Sequence, residues 1–81
     1  MTVKVKFWSY FSDLTENRET TLELAEDTTL GELHTQILKQ FPKLAKMKNS
    51  TLKAVGVEYQ NNNYVLNDGD EISLFPPVQG G

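Results

Sequence analysis

Thr29-Leu30-Gly31-Glu32-Leu33-His34-Thr35-Gln36-Ile37-Leu38-Lys39-Gln40-Phe41-Pro42 is the stretch whose reading decides the fold. Thr29 and Glu32 have the spacing of a capping box, in which each side chain satisfies a free backbone N–H of the first helical turn. Leu30, Leu33, Ile37, Leu38 and Phe41 then recur at helical intervals and make one apolar stripe. Pro42 disfavours helical backbone in the residue before it, so the helix is expected to stop near Gln40 or Phe41. His34 falls at the edge of the stripe. It is expected at the surface or its boundary, and no second residue is spaced to help it hold a metal.

One helix with one apolar stripe needs one sheet face to bury it. Before the helix, Val3, Val5 and Phe7 alternate with Lys4, Lys6 and Trp8, the mark of a half-buried strand. Residues 20–24 repeat the pattern, with Leu22 and Leu24 inward. Ser12 to Arg18 between them is polar and suits a turn or short helix. After the helix, residues 43–51 are lysine-rich and read as a solvated loop. A third strand is expected near residues 52–59, then a turn at Gln60-Asn61-Asn62-Asn63. Tyr64-Val65-Leu66 suits a short edge strand. Asn67-Asp68-Gly69-Asp70 is a turn in which Gly69 can take positive φ, and Glu71 to Phe75 is the last strand. This order is α+β and suits a β-grasp (ubiquitin-like) arrangement, a twisted mixed sheet of four to five strands over one main helix. A ferredoxin-like fold would need a second helix, for which residues 43–51 are a poor candidate.

The length of 81 residues suits one domain. There is no cysteine, which removes disulfides, thiolate metal sites and thiol nucleophiles together. A formal charge of −3 argues against a nucleic-acid surface, which needs a basic stripe. No apolar run is long enough to cross a bilayer, and Met1-Thr2-Val3-Lys4 shows no signal-peptide apolar region. A cytoplasmic protein is expected. Lys39, Lys43, Lys46 and Lys48 form a local basic run that reads as a solvated face, with a docking site for an acidic partner as the alternative. No cluster of acids, bases or metal ligands stands out as catalytic.

After Phe75 the sequence reads Pro76-Pro77-Val78-Gln79-Gly80-Gly81. Two prolines cannot donate to a sheet, so they end the strand and stiffen the exit. Two glycines carry no Cβ and pass where backbone must run close to other atoms. Six extended residues reach roughly 20 Å. The chain is therefore read as a domain over 1–75 and an extended tail over 76–81, a stalk with a thin tip.

These residues carry a resemblance. Asp68-Gly69-Asp70-Glu71, Leu74-Phe75-Pro76-Pro77-Val78 and Gly80-Gly81 together resemble the end of the MoaD/ThiS family, most closely its molybdopterin synthase small-subunit branch. Ala54-Val55-Gly56-Val57-Glu58-Tyr59 is similar to that family's third strand and Val5-Lys6-Phe7-Trp8 to its first. The match covers the whole chain and is strongest from residue 54 onward. It departs at Gly56, where the family often has Asn, and at Ser12-Asp13, where an Arg-Glu pair is common.

The resemblance implies a sulfur carrier. An E1-like activating enzyme would use ATP to join the Gly81 carboxylate to AMP, and a persulfide would displace AMP to leave a thiocarboxylate. That end, with Gly80 beside it, would enter the large subunit of molybdopterin synthase and give sulfur to the pyranopterin precursor. A heterotetramer is implied, with no cofactor bound by this chain and no metal, nucleic-acid or membrane site. A carrier for a thiamine-type pathway, a protein modifier conjugated through Gly81, and a plain interaction module are the alternatives.

The alternation also points to a docking surface. In a β-grasp sheet the first and last strands are parallel neighbours. Trp8 and Phe75 would then both face outward at the C-terminal ends of adjacent strands, at the root of Pro76, Pro77, Val78 and Gln79. An exposed aromatic patch there suits partner binding. The alternative is that a loop, such as the one carrying Phe11, covers one of them.

Overall fold

A computed structural model describes residues 1–77. The elements run β1 (Thr2–Phe7), α1 (Phe11–Thr15), β2 (Glu19–Glu23), α2 (Leu30–Gln40), a 3₁₀ segment (Pro42–Ser50), β3 (Leu52–Val55), β4 (Glu58–Tyr59) and β5 (Glu71–Phe75). They form one five-stranded sheet in the order β2-β1-β5-β3-β4. β1 and β5 lie side by side and parallel, with Val5 opposite Ile72 and Phe7 opposite Leu74. β2 and β3 flank them antiparallel. This is the expected β-grasp arrangement.

The alternation of β1 does what its period demands. Val3, Val5 and Phe7 are buried, and Ile72 and Leu74 of β5 join them on the same face. Leu30, Leu33 and Ile37 of α2 pack onto that face and complete the core. Phe11 from α1, Leu24 beyond β2, Leu44 and Leu66 close its ends. The capping box forms: the Glu32 N–H donates to Thr29 Oγ1 at 3.2 Å, and the Thr29 N–H donates to Glu32 Oε1 at 3.0 Å. The remaining first-turn donors go to the loop 61–64, Leu30 N–H to the Tyr64 carbonyl at 2.8 Å and Gly31 N–H to the Asn62 carbonyl at 3.0 Å. This closeness requires glycine, since a Cβ at Gly31 would stand 2.8 Å from Asn62 Cβ.

Four expectations change. Residues 43–51 are not a loop, because Pro42 opens a 3₁₀ segment that buries Leu44 under α2 while Lys43, Lys46 and Lys48 stay exposed. The stretch 52–59 is two strands, not one. Gly56 has φ +63° and folds β4 back along β3, with Ala54 opposite Tyr59. Glycine and asparagine both enter that left-handed region at low cost, which accounts for Gly56 at a position where the resembled family often has Asn. Tyr64–Leu66 is no edge strand. Its groups pair with the start of α2, and only Val65 bridges to Thr29. His34 is not at the surface but 5 % exposed, turned toward β3.

Candidate functional site

The sheet's outer face, away from α2, is split into two halves. The β1–β2 half is charged, with Lys6 Nζ 2.8 Å from Glu71 Oε1 and Lys4 Nζ 3.6 Å from Glu19 Oε2. The hydrogen bond to Glu71 raises the Lys6 pKa, and the same bond lowers that of Glu71. The β3–β4–β5 half is apolar. Register puts Leu52 opposite Phe75 and Ala54 opposite Ser73, all on the outer face. Small Ala54 and Ser73 leave a floor, and the larger side chains around them enclose a groove of about 740 Å³.

Trp8, Val57, Tyr59, Phe75, Pro76 and Pro77 form the walls of that groove. Trp8 continues β1, its N–H donating to the Leu74 carbonyl at 3.0 Å. That bond brings it level with Phe75 on the neighbouring strand, and Trp8 stays 50 % exposed. Phe75 is half-buried. Tyr59 covers part of it, with ring centroids 5.7 Å apart, whereas Phe11 is in the core. The structure therefore brings Trp8, Phe75, Pro76 and Pro77 to one hollow. Val78, Gln79, Gly80 and Gly81 lie outside the described residues.

Sequence reasoning missed Val57 and Tyr59, which are fully and two-thirds exposed, with relative accessibilities of 100 % and 67 %. Reading 52–59 as one strand hid them. The available signal was Gly56 inside a strand pattern, a common mark of a bend. The groove offers apolar area and aromatic faces, its polar side-chain groups are the hydroxyls of Ser9, Tyr10, Tyr59 and Ser73 and the Trp8 indole N–H, and no acid or base lines it, so it suits a protein segment better than a reaction. Among the described residues no group of three His, Asp or Glu could hold a metal ion, and no helix is long and apolar enough to cross a membrane.

His34 sits on the opposite, inner face. It faces Lys53 of β3, which lies opposite Leu74 in the β3–β5 register. Lys53 Nζ lies 3.4 Å from His34 Nδ1. Burial, then the charges of Lys53 and Lys48, push the His34 pKa down to about 4. Burial also lowers that of Lys53. A neutral imidazole with a free Nδ1 accepts from the ammonium, and this arrangement serves packing rather than catalysis.

Comparison with known proteins gives a consistent picture. The model of the ThiS family matches residues 5–81. The molybdopterin synthase sulfur carrier subunit of Caenorhabditis briggsae is 35 % identical over 83 aligned positions, covering 100 % of this chain and 99 % of that protein. The protein of the same name from Caenorhabditis elegans is 31 % identical with the same coverage. Among solved structures, SAMP1 from Haloferax volcanii superposes with a TM-score of 0.89 over 100 % of both chains at 20 % identity, a likeness of fold. A complex of subunits 1 and 2 of the molybdopterin-converting factor from Helicobacter pylori contains a chain 30 % identical, with a TM-score of 0.73 and 100 % of both chains covered.

Proposed function

This chain belongs to the ThiS family, and from that premise we propose that it is the sulfur-carrier subunit of a molybdopterin synthase. The observation that carries the reading is the position of the groove. Pro76 and Pro77, the root of the stalk that leads to Gly80-Gly81, are themselves part of its wall. A partner seated there meets the stalk at its origin, and the next few residues span the distance to a recessed active site. Relatives that align over the whole chain and bear the sulfur-carrier name support this assignment.

A carboxylate near pH 7 is ionised and a poor acyl donor, because oxide is a poor leaving group. Activation is therefore required. An E1-like enzyme joins the Gly81 carboxylate to AMP from ATP, releasing pyrophosphate. A persulfide sulfur attacks the acyl carbon, the bond to AMP breaks, and a second thiol attacks the resulting acyl disulfide at the donor's sulfur, forming a disulfide with the donor and releasing the thiocarboxylate. The large synthase subunit then binds the groove and draws in the Gly-Gly tip, and the sulfur passes to the pyranopterin precursor. This chain contributes no acid or base side chain to those steps. The complex of subunits 1 and 2 of the molybdopterin-converting factor from Helicobacter pylori supports a large-subunit partner, a heterotetramer is the expected assembly, and the cytoplasm is the expected compartment.

Intact mass decides the matter. Incubation with ATP, the activating enzyme and a sulfur source is expected to exchange one oxygen of Gly81 for sulfur. Isopeptide adducts on lysine-bearing proteins instead of that exchange would make the chain a modifier. Copurification with a large synthase subunit separates this pathway from a thiamine-type one.

A further inference from the structure

Beside the apolar groove the outer surface holds a second, polar hollow of about 380 Å³. Lys6, Ser12, Arg18 and Glu19 line it, and Trp8 and Ser9 form a wall common to both hollows. The charges inside it are unequally satisfied. Lys6 is matched by Glu71 and Glu19 lies near Lys4. Arg18, the sole arginine of the chain, has no carboxylate partner among the described residues.

The backbone of Arg18, an exposed residue, is held in the sheet. The Phe7 N–H donates to its carbonyl at 2.8 Å, extending the β1–β2 ladder by one rung. The wall opposite is held in an uncommon shape. Ser9 has φ +56°, which a serine rarely adopts, and local bonds hold it there. The Phe11 N–H donates to the Trp8 carbonyl at 3.1 Å, and the Ser12 hydroxyl donates to the Ser9 carbonyl at 2.9 Å. Strain of this kind persists where the surroundings over-determine it and is frequent at binding sites.

We propose that this hollow is the polar half of the docking surface, in which Arg18 binds a carboxylate side chain of the protein partner whose apolar segment fills the groove. The inference rests on the docking reading above and adds the partner's chemistry to it. Exposed lysines of the 3₁₀ segment stand on open surface, where water screens a charge pair. Arg18 is exposed too but lines a concavity bordered by Trp8, and closing an interface over that border excludes water and strengthens a charge pair. A guanidinium also holds a carboxylate through two parallel bonds, which fixes register as well as affinity.

Titration of the cognate large synthase subunit against the full chain and its variants, at low and moderate salt, tests this. Arg18→Glu is expected to weaken binding roughly tenfold or more, with Arg18→Gln intermediate and less salt-sensitive than the parent. Lys43→Glu, outside both hollows, is expected to change little. One Asp or Glu on the large subunit, changed to Lys, is expected to restore binding to Arg18→Glu. Thermal melts of each variant exclude unfolding. If Arg18→Glu binds as the parent does, or Lys43→Glu is equally impaired, the assignment of Arg18 is overturned. Weakened binding by Phe75→Ala in that case preserves the docking reading, whereas unchanged binding by both variants removes that reading too.

Discussion

His34 shows what burial does to one residue. Its imidazole is enclosed and faces the Lys53 ammonium at 3.4 Å, so a proton on the ring is opposed by desolvation and by charge. In the unfolded chain the ring titrates near 6.5 and in the folded chain at about 4. The unfolded state therefore takes up the proton first as pH falls. Stability from this group is complete above pH 6.5 and is lost progressively as pH drops toward 4. The loss is on the order of 3 kcal/mol. Urea unfolding at several pH values is expected to show a flatter acid limb for His34→Gln than for the parent. Parallel curves would remove His34 from the acid response. The sequence position placed His34 at the margin of the apolar stripe, but which strand would lie over that margin was not legible from the helix alone.

At the scale of elements, α2 is built from both ends of its signal. The capping box Thr29–Glu32 was readable because its partners lie three residues apart. The second set of first-turn contacts, from Tyr64 and Asn62, comes from thirty residues away in round terms and left no local trace. Gly31 records it. Alanine there would gain at most about 1 kcal/mol of helix propensity, and less so close to the helix start. Its Cβ would press on Asn62 Cβ and the Asn62 carbonyl, at 2.8 and 3.2 Å, and neither is the far end of a flexible side chain. Overpacking of that kind costs about 1–3 kcal/mol. Gly31→Ala is expected to lower stability by about 1 kcal/mol net, measured by denaturant melting; a stabilised variant would mean that the 61–64 loop yields freely. The β3–β4 hairpin follows the same logic. Its bend depends on one left-handed residue, and Val55, Val57 and Tyr59 on either side would otherwise suit a continuous strand.

Across the whole molecule, the proposed docking surface separates from the core. α2 and the inner sheet face hold the fold, and the outer face presents a charged half and an apolar half that core formation does not need. Phe75 lies on that outer face, so Phe75→Ala is expected to leave the melting temperature within a few degrees while weakening large-subunit binding by about 2 kcal/mol or more. A large fall in melting temperature would instead make Phe75 a structural residue. The strand alternation, the capped helix and the turn at Gly69 were determined by sequence alone, because each depends on residues two to four apart, within reach of the backbone's own periodicity. The Pro-Pro and Gly-Gly pairs near the end of the sequence were equally a local pattern. Tertiary structure alone decided that Tyr59 and Val57 join Trp8 and Phe75 in one groove, that Arg18 lines the hollow beside it, and that His34 meets Lys53. Those groups are brought together by strand register and by a single bend at Gly56, and their contacts across the sheet leave no periodic mark along the chain.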